Sequence, residues 1–403
     1  MCAQPAYKRS LRTLAGTRVL DLTRVWAGPL ATRILADFGA QVVKVGDPRV
    51  AFDRSTGTFN KLNRSKTSLA LRLDQPEGQN IFKMLVRVSD VVVENFRPRV
   101  MKNFGLTYDV LRAEKPDLIM VSMPGFGIEG AYADYPAFGP SVEAMTGINS
   151  LMGYRDGPPM GSAIAYPDPV AALNAVGAIM TALWHRRQTG RGQLIDLSLA
   201  EGPVCQIGEF LLASSHGKNP PARTGSSHPD YAPYGCYPAA GEDRWIAVCI
   251  TTEAHWRSLC EVMGRPELRE DRRFSSAAAR CQHRQEVDAL VAGWTSTQES
   301  DALMEILQRR GIPAGAVLDA KDMLRDPHLN ERRFFAEITE PDIGLMRYPG
   351  QAIRMSAEPT ADWKASPRLG EHSRGILGEL LRIDERTIGV REAKGIVGCW
   401  SAE

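Results

Sequence analysis

Long apolar runs are missing from this chain of 403 residues. The longest, Val170 to Trp184, falls short of the roughly 20 residues that span a bilayer, so no membrane anchor is expected. The N-terminus, Met1-Cys2-Ala3-Gln4-Pro5-Ala6-Tyr7-Lys8, lacks the apolar core of a signal peptide. A strong charge of either sign is missing too. The net charge of +2 gives neither nucleic acid nor an anionic membrane surface a reason to bind, so any basic character must be local and serve a small anionic ligand. Cysteine pairs are absent. The seven cysteines (Cys2, Cys205, Cys236, Cys249, Cys260, Cys281 and Cys399) contain no Cys-x-x-Cys and are odd in number, the usage of reduced thiols in a cytoplasm. There is no P-loop, G-x-S-x-G elbow or H-E-x-x-H, and no histidine has a metal-ligand partner four residues on. Neither a metal site nor a serine or cysteine triad is expected.

What is present is an ordinary globular composition, 43% hydrophobic and 24% charged, on a chain long enough for two domains. Arg18 to Leu22 reads as a strand, Pro29 to Phe38 as a helix ended by Gly39, and Gln41 to Val45 as the next strand. Strands at Ser68 to Leu73, Asp90 to Glu94 and Leu118 to Ser122 alternate with helices at Pro76 to Val86 and Leu106 to Glu114. This is the α/β pattern of a parallel sheet with helices outside. Ligands bind beyond the carboxyl ends of such strands, which places the turn from Arg24 to Pro29 at a site. A long Gly-, Pro- and aromatic-rich loop, Met123 to Pro167, follows, then a long helix ending at Thr189-Gly190. Leu194 to Leu199 reads as a strand and Ala200 to Ser214 as a helix. His216 to Pro238 reads as a linker to a small α/β domain, whose first strand is residues 245–250.

Three motifs carry chemistry. Asp168 stands between Pro167 and Pro169 at the start of the long helix, where a cap would accept free backbone N–H groups and stay charged at neutral pH. Such an aspartate is most often a plain cap, but a rigidly held carboxylate is also a nucleophile towards acyl carbon. Gly125-Phe126-Gly127-Ile128-Glu129-Gly130 fits the dinucleotide pattern, but loop residues follow where a helix is required, which excludes a nicotinamide or flavin site. The cluster Lys61, Arg64, Lys66 and Arg72 reads by itself as a solvated face and, with Arg97, Arg99 and Lys102, as a candidate phosphate clamp. His228 stands in a flexible loop and reads either as an exposed loop residue or as part of an active-site flap.

Together these segments resemble the class III coenzyme A transferases, the family of formyl-CoA, carnitine-CoA and benzylsuccinate-CoA transferases that also contains the α-methylacyl-CoA racemases. The likeness is carried by Val19 to Pro29, Ala36 to Val45, Val93-Glu94-Asn95-Phe96-Arg97-Pro98, Asp156-Gly157-Pro158-Pro159, Thr189 to Ser198, Gly311 to Gly315 and Leu369-Gly370-Glu371-His372. It implies a Rossmann-like large domain with a parallel sheet built from both chain ends, plus a small α/β domain, in an interlocked dimer. The boundaries expected are residues 1–225 for the CoA-binding part, 226–326 for the small domain, and 327–403 for a return to the large one. The second subunit is another copy or a related chain.

The activity implied is movement of coenzyme A from an acyl-CoA, succinyl-CoA among the candidates, to an organic carboxylic acid. Acyl-CoA and acid are substrates, with no tightly bound cofactor. Asp168 is implied as the nucleophile, passing through a mixed anhydride and an aspartyl-CoA thioester. Arg24, Trp26, Ala27, Leu71, Leu73, Asn95, Phe96, Arg97 and Lys102 are implied CoA contacts, and Phe138, Gly139 and His228 line the substrate pocket. The chain departs from the racemases at Phe138, where they place a histidine base, and near Thr252, where they place a glutamate. It lacks the glycine-rich flap of the formyl-CoA enzyme, and Arg49 stands in for a CoA-holding arginine. A racemase or epimerase, and a non-catalytic CoA-binding subunit, are the alternative readings.

Overall fold

The computed structural model describes residues 12–55, 57–218, 223–358 and 362–400; Cys2 and the rest of the N-terminal segment lie outside them. The chain divides into two compact units. The larger comprises residues 1–149, 161–219 and 332–403, and the smaller residues 150–160 and 220–331.

The larger unit opens with β1 (Arg18–Asp21), α1 (Ala27–Asp37), β2 (Gln41–Gly46), α2 (Thr58–Asn63), β3 (Thr67–Leu71), α3 (Pro76–Arg87) and β4 (Val91–Glu94). It continues with α4 (Pro98–Asn103), α5 (Tyr108–Glu114), β5 (Ile119–Ser122), α6 (Gly139–Met145), α7 (Ile148–Leu151), which runs into the smaller unit, α8 (Pro167–Thr189) and β6 (Leu194–Asp196). The two strands β1 and β4 are parallel neighbours, and the parallel strands run β3-β2-β1-β4-β5-β6. Alternate strand residues feed two cores. Leu20, Val43, Leu69 and Val92 pack beneath Ile81, Phe82 and Leu85 of α3. Val19, Val42, Val91 and Val121 pack beneath α1 and α8. Apolar side chains on both faces are what a parallel sheet covered on both sides requires.

Several boundaries differ from those read in the sequence. The long loop holds two short helices, α6 and α7. Residues 200–214 form α9 (Glu201–Cys205) and α10 (Gly208–Ser215) rather than one helix. The C-terminal segment does return to the sheet, as β12 (Val397–Gly398), but antiparallel to β3. The expected linker contains a strand, β7 (Tyr234–Pro238), paired antiparallel with β8 (Trp245–Cys249), which in turn pairs with β9 (Ala314–Ala316). Its Gly and Pro read as linker, but an edge strand tolerates both. The smaller unit packs Trp256, Leu259, Phe274, Val287 and Leu303 over this sheet. A hairpin of β10 (Phe335–Glu340) and β11 (Gly344–Pro349) precedes the C-terminal return.

The contact that matters for the site is α1 against α8. Buried Ala27, Ala31 and Leu35 of α1 meet Ala171, Ala172, Ala175 and Ile179 of α8. Such small residues let two backbones approach closely, and they bring the first turns of the two helices together.

Candidate active site

Asp168 is the second residue of α8, not its cap, and the helix start carries no side-chain cap bond. The expected capping interactions are absent because Tyr166 occupies the cap position and Pro167 the first turn. The Asp168 carboxylate turns instead to the other helix: its Oδ1 accepts the Ala27 N–H at 3.2 Å. Its Oδ2 lies against Gly139, so close that a Cβ on Gly139 would stand 2.1 Å from it. The side chain is only 6% exposed. Burial raises its pKa above the ordinary carboxylate value, and the Ala27 N–H offsets part of that rise. The expectation that capping alone would hold it charged is thereby corrected: burial opposes the charge, and one amide of a neighbouring helix favours it.

The first turn of α1 is fixed from below. Lys66 Nζ donates to Asp21 Oδ2 at 2.9 Å, Pro29 O at 3.0 Å, Thr32 Oγ1 at 2.8 Å and Asn63 Oδ1 at 2.9 Å. Lys44 pairs with Asp21 Oδ1 and donates to Thr23 O. Burial on its own would raise the Asp21 pKa, but the two ammonium groups and the Thr23 hydroxyl hold it well below the carboxylate range. Burial lowers Lys66 to about 7. Gly28 completes the turn, since a Cβ there would meet Thr23 at 2.3 Å.

The proposed phosphate clamp at residues 61–72 does not exist as an open basic face. Arg64 and Lys66 are buried and paired with Asp37 and Asp21, Arg72 binds Asp74, and Lys61 lies over the Trp26 ring at 5.0 Å. The acids that neutralise Arg64 and Lys66 come from distant parts of the chain, which a local charge count does not register.

Where β1 and β4 lie side by side, the loops beyond them are joined reciprocally. Arg24 N–H donates to Asn95 Oδ1, and Asn95 Nδ2 donates to Arg24 O, both at 2.8 Å. The Arg24 guanidinium stacks 5.7 Å from the Phe96 ring. This crossover point is where doubly wound sheets place their ligands. A cavity of about 230 Å³ opens there, lined by Arg24, Arg49, Leu71, Leu73 and Phe96 among others. Arg49 pairs with Asp47 and Asp74. Lys102 faces a different cavity, of about 380 Å³, with Arg99, Glu94 and Ser122. Arg97 precedes α4 and lines neither cavity.

Phe138 is 65% exposed, and its N–H donates to Ser141 Oγ at 3.1 Å. His228 belongs to the smaller unit, its ring packed near Tyr231 and Tyr234 and its carbonyl accepting from Arg284 at 2.6 Å. Gly125 to Gly130 forms turns with no helix behind them until α6. Among the described residues no cluster could hold a metal ion, and no helix is long and apolar enough to cross a membrane.

Sequence reasoning missed two buried acids, Glu143 and Glu94. Each stands beside apolar residues with no local signal of burial: the donors to Glu143, on Ser162 and Tyr166, and the Ser122 hydroxyl that donates to Glu94 lie well along the chain. Glu94 accepts from the Ser122 hydroxyl and from Phe96 N–H at 2.7 Å. Burial still raises it to about 7. A carboxyl raised in the fold keeps its proton longer than in the unfolded chain, so its contribution to stability is present at low pH and lost as pH rises from about 4.5 to 7. We expect Glu94→Gln to flatten that decline, by roughly 3 kcal/mol between pH 5 and 8, in denaturant melts compared with the wild type.

These features place the buried Asp168 carboxylate against the first turn of α1, in an α/β sheet with a cavity at its β1–β4 crossover. The sequence profile of CoA-transferase family III matches residues 14–373, and the chain belongs to that family. It is an acyl-CoA:carboxylate CoA-transferase. It is 36% identical to the succinyl-CoA–D-citramalate CoA-transferase of Chloroflexus aurantiacus, over 97% of this chain and 99% of the relative. It is also 36% identical to the succinyl-CoA:mesaconate CoA-transferase of Haloarcula marismortui, over 90% and 95%. Among solved structures, a CAIB/BAIF family protein from Brucella suis superposes with a TM-score of 0.82 at 31% identity, covering 92% of this chain and 99% of that one.

Proposed function

We propose that this enzyme takes coenzyme A from succinyl-CoA and gives it to a branched five-carbon dicarboxylic acid, with Asp168 as the covalent nucleophile. The observation that carries the reading is the Asp168 carboxylate, buried between the Ala27 amide and Gly139. Two relatives similar along nearly their full lengths are named for succinyl-CoA and for citramalate or mesaconate. Both acids have five carbons, two carboxylates and a methyl branch.

Exchange of a thioester for a carboxylate calls for a carboxylate relay. An Asp168 oxygen adds to the thioester carbonyl, the C–S bond breaks, and CoA thiolate leaves behind a mixed anhydride. The thiolate then attacks the Asp168 carbonyl carbon, and succinate departs. The acceptor carboxylate attacks the resulting aspartyl-CoA thioester and releases the thiolate a second time. Thiolate attack on the new mixed anhydride yields the product thioester and frees Asp168. The Ala27 N–H stands where negative charge develops on the Asp168 oxygen in the anhydride and thioester steps.

Coenzyme A is assigned to the crevice holding Arg24, Leu71, Leu73, Asn95 and Phe96, with Trp26 and Ala27 in the adjoining turn. Arg97 and Lys102 are assigned to the outer end of the ligand, beyond that crevice. Phe138 and Gly139 are assigned to the acid. An interlocked dimer, from a second copy or a related chain, is supported by apolar side chains left uncovered on α8 and α10, among them Leu173, Trp184 and Leu212, each 60% exposed or more. The six described cysteines are free, which supports a cytoplasmic location.

The test is incubation with succinyl-CoA and a panel of dicarboxylates, followed by intact mass after borohydride or hydroxylamine trapping. A CoA-dependent adduct on Asp168 with turnover of citramalate or mesaconate is the expected result. Exchange of the α-proton of an acyl-CoA with solvent deuterium, without an adduct, would replace this reading by a racemase. In the same assay Arg24→Ala should raise KM for succinyl-CoA about tenfold with little change in kcat, the pattern of lost ground-state binding.

A further inference from the structure

We infer that Glu143 is a positioning residue that sets the attack geometry of Asp168, a role resting on the assignment of Asp168 as nucleophile. Glu143 lies one turn after Gly139 on α6, 2% exposed. Its carboxylate accepts three hydrogen bonds from the segment that leads into α8. Oε1 accepts Ser162 N–H at 2.6 Å, and Oε2 accepts Ser162 Oγ at 2.6 Å and Tyr166 N–H at 3.0 Å. Those donors, with burial opposing them, hold its carboxyl below the usual value, and no cation contributes. A buried carboxylate answered only by N–H and O–H donors is a clamp on the backbone that supplies them.

The segment it clamps has reason to relax. Ala163 and Ala165 both adopt left-handed backbone conformations, at φ 62° and 50°, which residues with a Cβ disfavour. Both lie between the two anchor points, Ser162 and Tyr166. Asp168 follows two residues later across Pro167, whose φ is fixed by its ring, so a shift of Tyr166 carries over to Asp168. The same helix face therefore meets the nucleophile twice. Gly139 touches its carboxylate, and Glu143 holds the strained loop that aims it. Misplacement by about 1 Å is enough to slow a reaction about a hundredfold.

The amide of glutamine cannot replace this carboxylate, because one of its two ends is itself a donor and faces N–H groups. Ser162→Ala removes only the hydroxyl and leaves both backbone donors in place. The experiment measures kcat and KM for succinyl-CoA, the yield of CoA trapped on Asp168, and the melting temperature, in wild type, Glu143→Ala, Glu143→Gln and Ser162→Ala. Positioning predicts graded losses in kcat of about a hundredfold, tenfold and fivefold respectively, with KM unchanged within about threefold and trapping reduced in the same order. Turnover within twofold of wild type in all three, with Asp168 still labelled, overturns the positioning role and leaves the nucleophile standing. So does a Glu143→Ala enzyme whose kcat, KM and melting temperature collapse together while Glu143→Gln and Ser162→Ala behave as wild type, since that is a purely structural loss. Absence of any adduct on Asp168 in the wild-type enzyme overturns the nucleophile assignment, and the positioning role with it.

Discussion

Asp168→Asn should retain the fold and coenzyme A binding while losing at least three to four powers of ten in kcat, about the loss seen when a covalent nucleophile is removed from other enzymes. The substitution is close to isosteric. An asparagine Oδ1 can still accept the Ala27 N–H, and its Nδ2 fills the space against Gly139 that Oδ2 occupies now. What disappears is the anionic oxygen proposed to add to the thioester and the acyl carbon proposed to carry the thioester in turn. Binding of CoA, measured by calorimetry, should stay within about threefold of wild type, because the Arg24–Asn95–Phe96 crevice is formed by other loops. Residual turnover within tenfold of wild type would remove Asp168 from the reaction path. The same chemistry fixes a pH trend. Burial raises the Asp168 pKa, the carboxylate is the attacking form, and kcat/KM should therefore rise with pH through an acid limb lying above that of an ordinary aspartate.

The sheet and its outer helices were legible in the sequence because each strand is a short run of Val, Ile and Leu closed by a turn signal. Arg18 to Asp21, Gln41 to Gly46 and Val91 to Glu94 need no partner to be recognised. Asp168 was legible for a similar local reason, two prolines around one acid ahead of a long apolar helix. Its surroundings were not. The amide that Asp168 accepts comes from Ala27, 141 residues away, and the glycine against it comes from a loop whose helix is seven residues long. The basic residues around Lys66 failed as a clamp for the same reason. Their neutralising acids, Asp21 and Asp37, lie on the preceding strand and helix, and burial turns what reads as a solvated face into a core ion network.

That network explains how a surface turn stays rigid enough for catalysis. Lys44, Lys66 and Asp21 sit beneath the loop that presents the Ala27 N–H, and their hydrogen bonds reach Thr23, Pro29 and Thr32 around the base of α1. Burial lowers the pKa of both lysines, and Asp21, held ionised between them, answers the charge they keep.

Gly139→Ala should cost kcat about two to three powers of ten, through a methyl group whose nearest neighbours are Asp168 and the loop before it. On an exposed helix the same change stabilises by up to about 1 kcal/mol, so propensity alone predicts the opposite sign. Here the added Cβ would stand 2.1 Å from Asp168 Oδ2 and 2.5 Å from the Ala165 Cβ. Neither neighbour can yield freely. Asp168 is held by the first turn of α8 and by Ala27, and Ala165 lies between the two residues that Glu143 anchors. Relief must come from rotating the carboxylate off the Ala27 amide or from moving α6, and both misplace the attacking oxygen. Overpacking of this kind destabilises a fold by about 1–3 kcal/mol, a modest effect on melting beside the loss in turnover. KM for succinyl-CoA should change little, since the crevice proposed for CoA lies at the ends of β1 and β4. A Gly139→Ala enzyme with wild-type kcat would mean that α6 can retreat without disturbing Asp168, and that the contact is space-filling rather than part of the attack geometry.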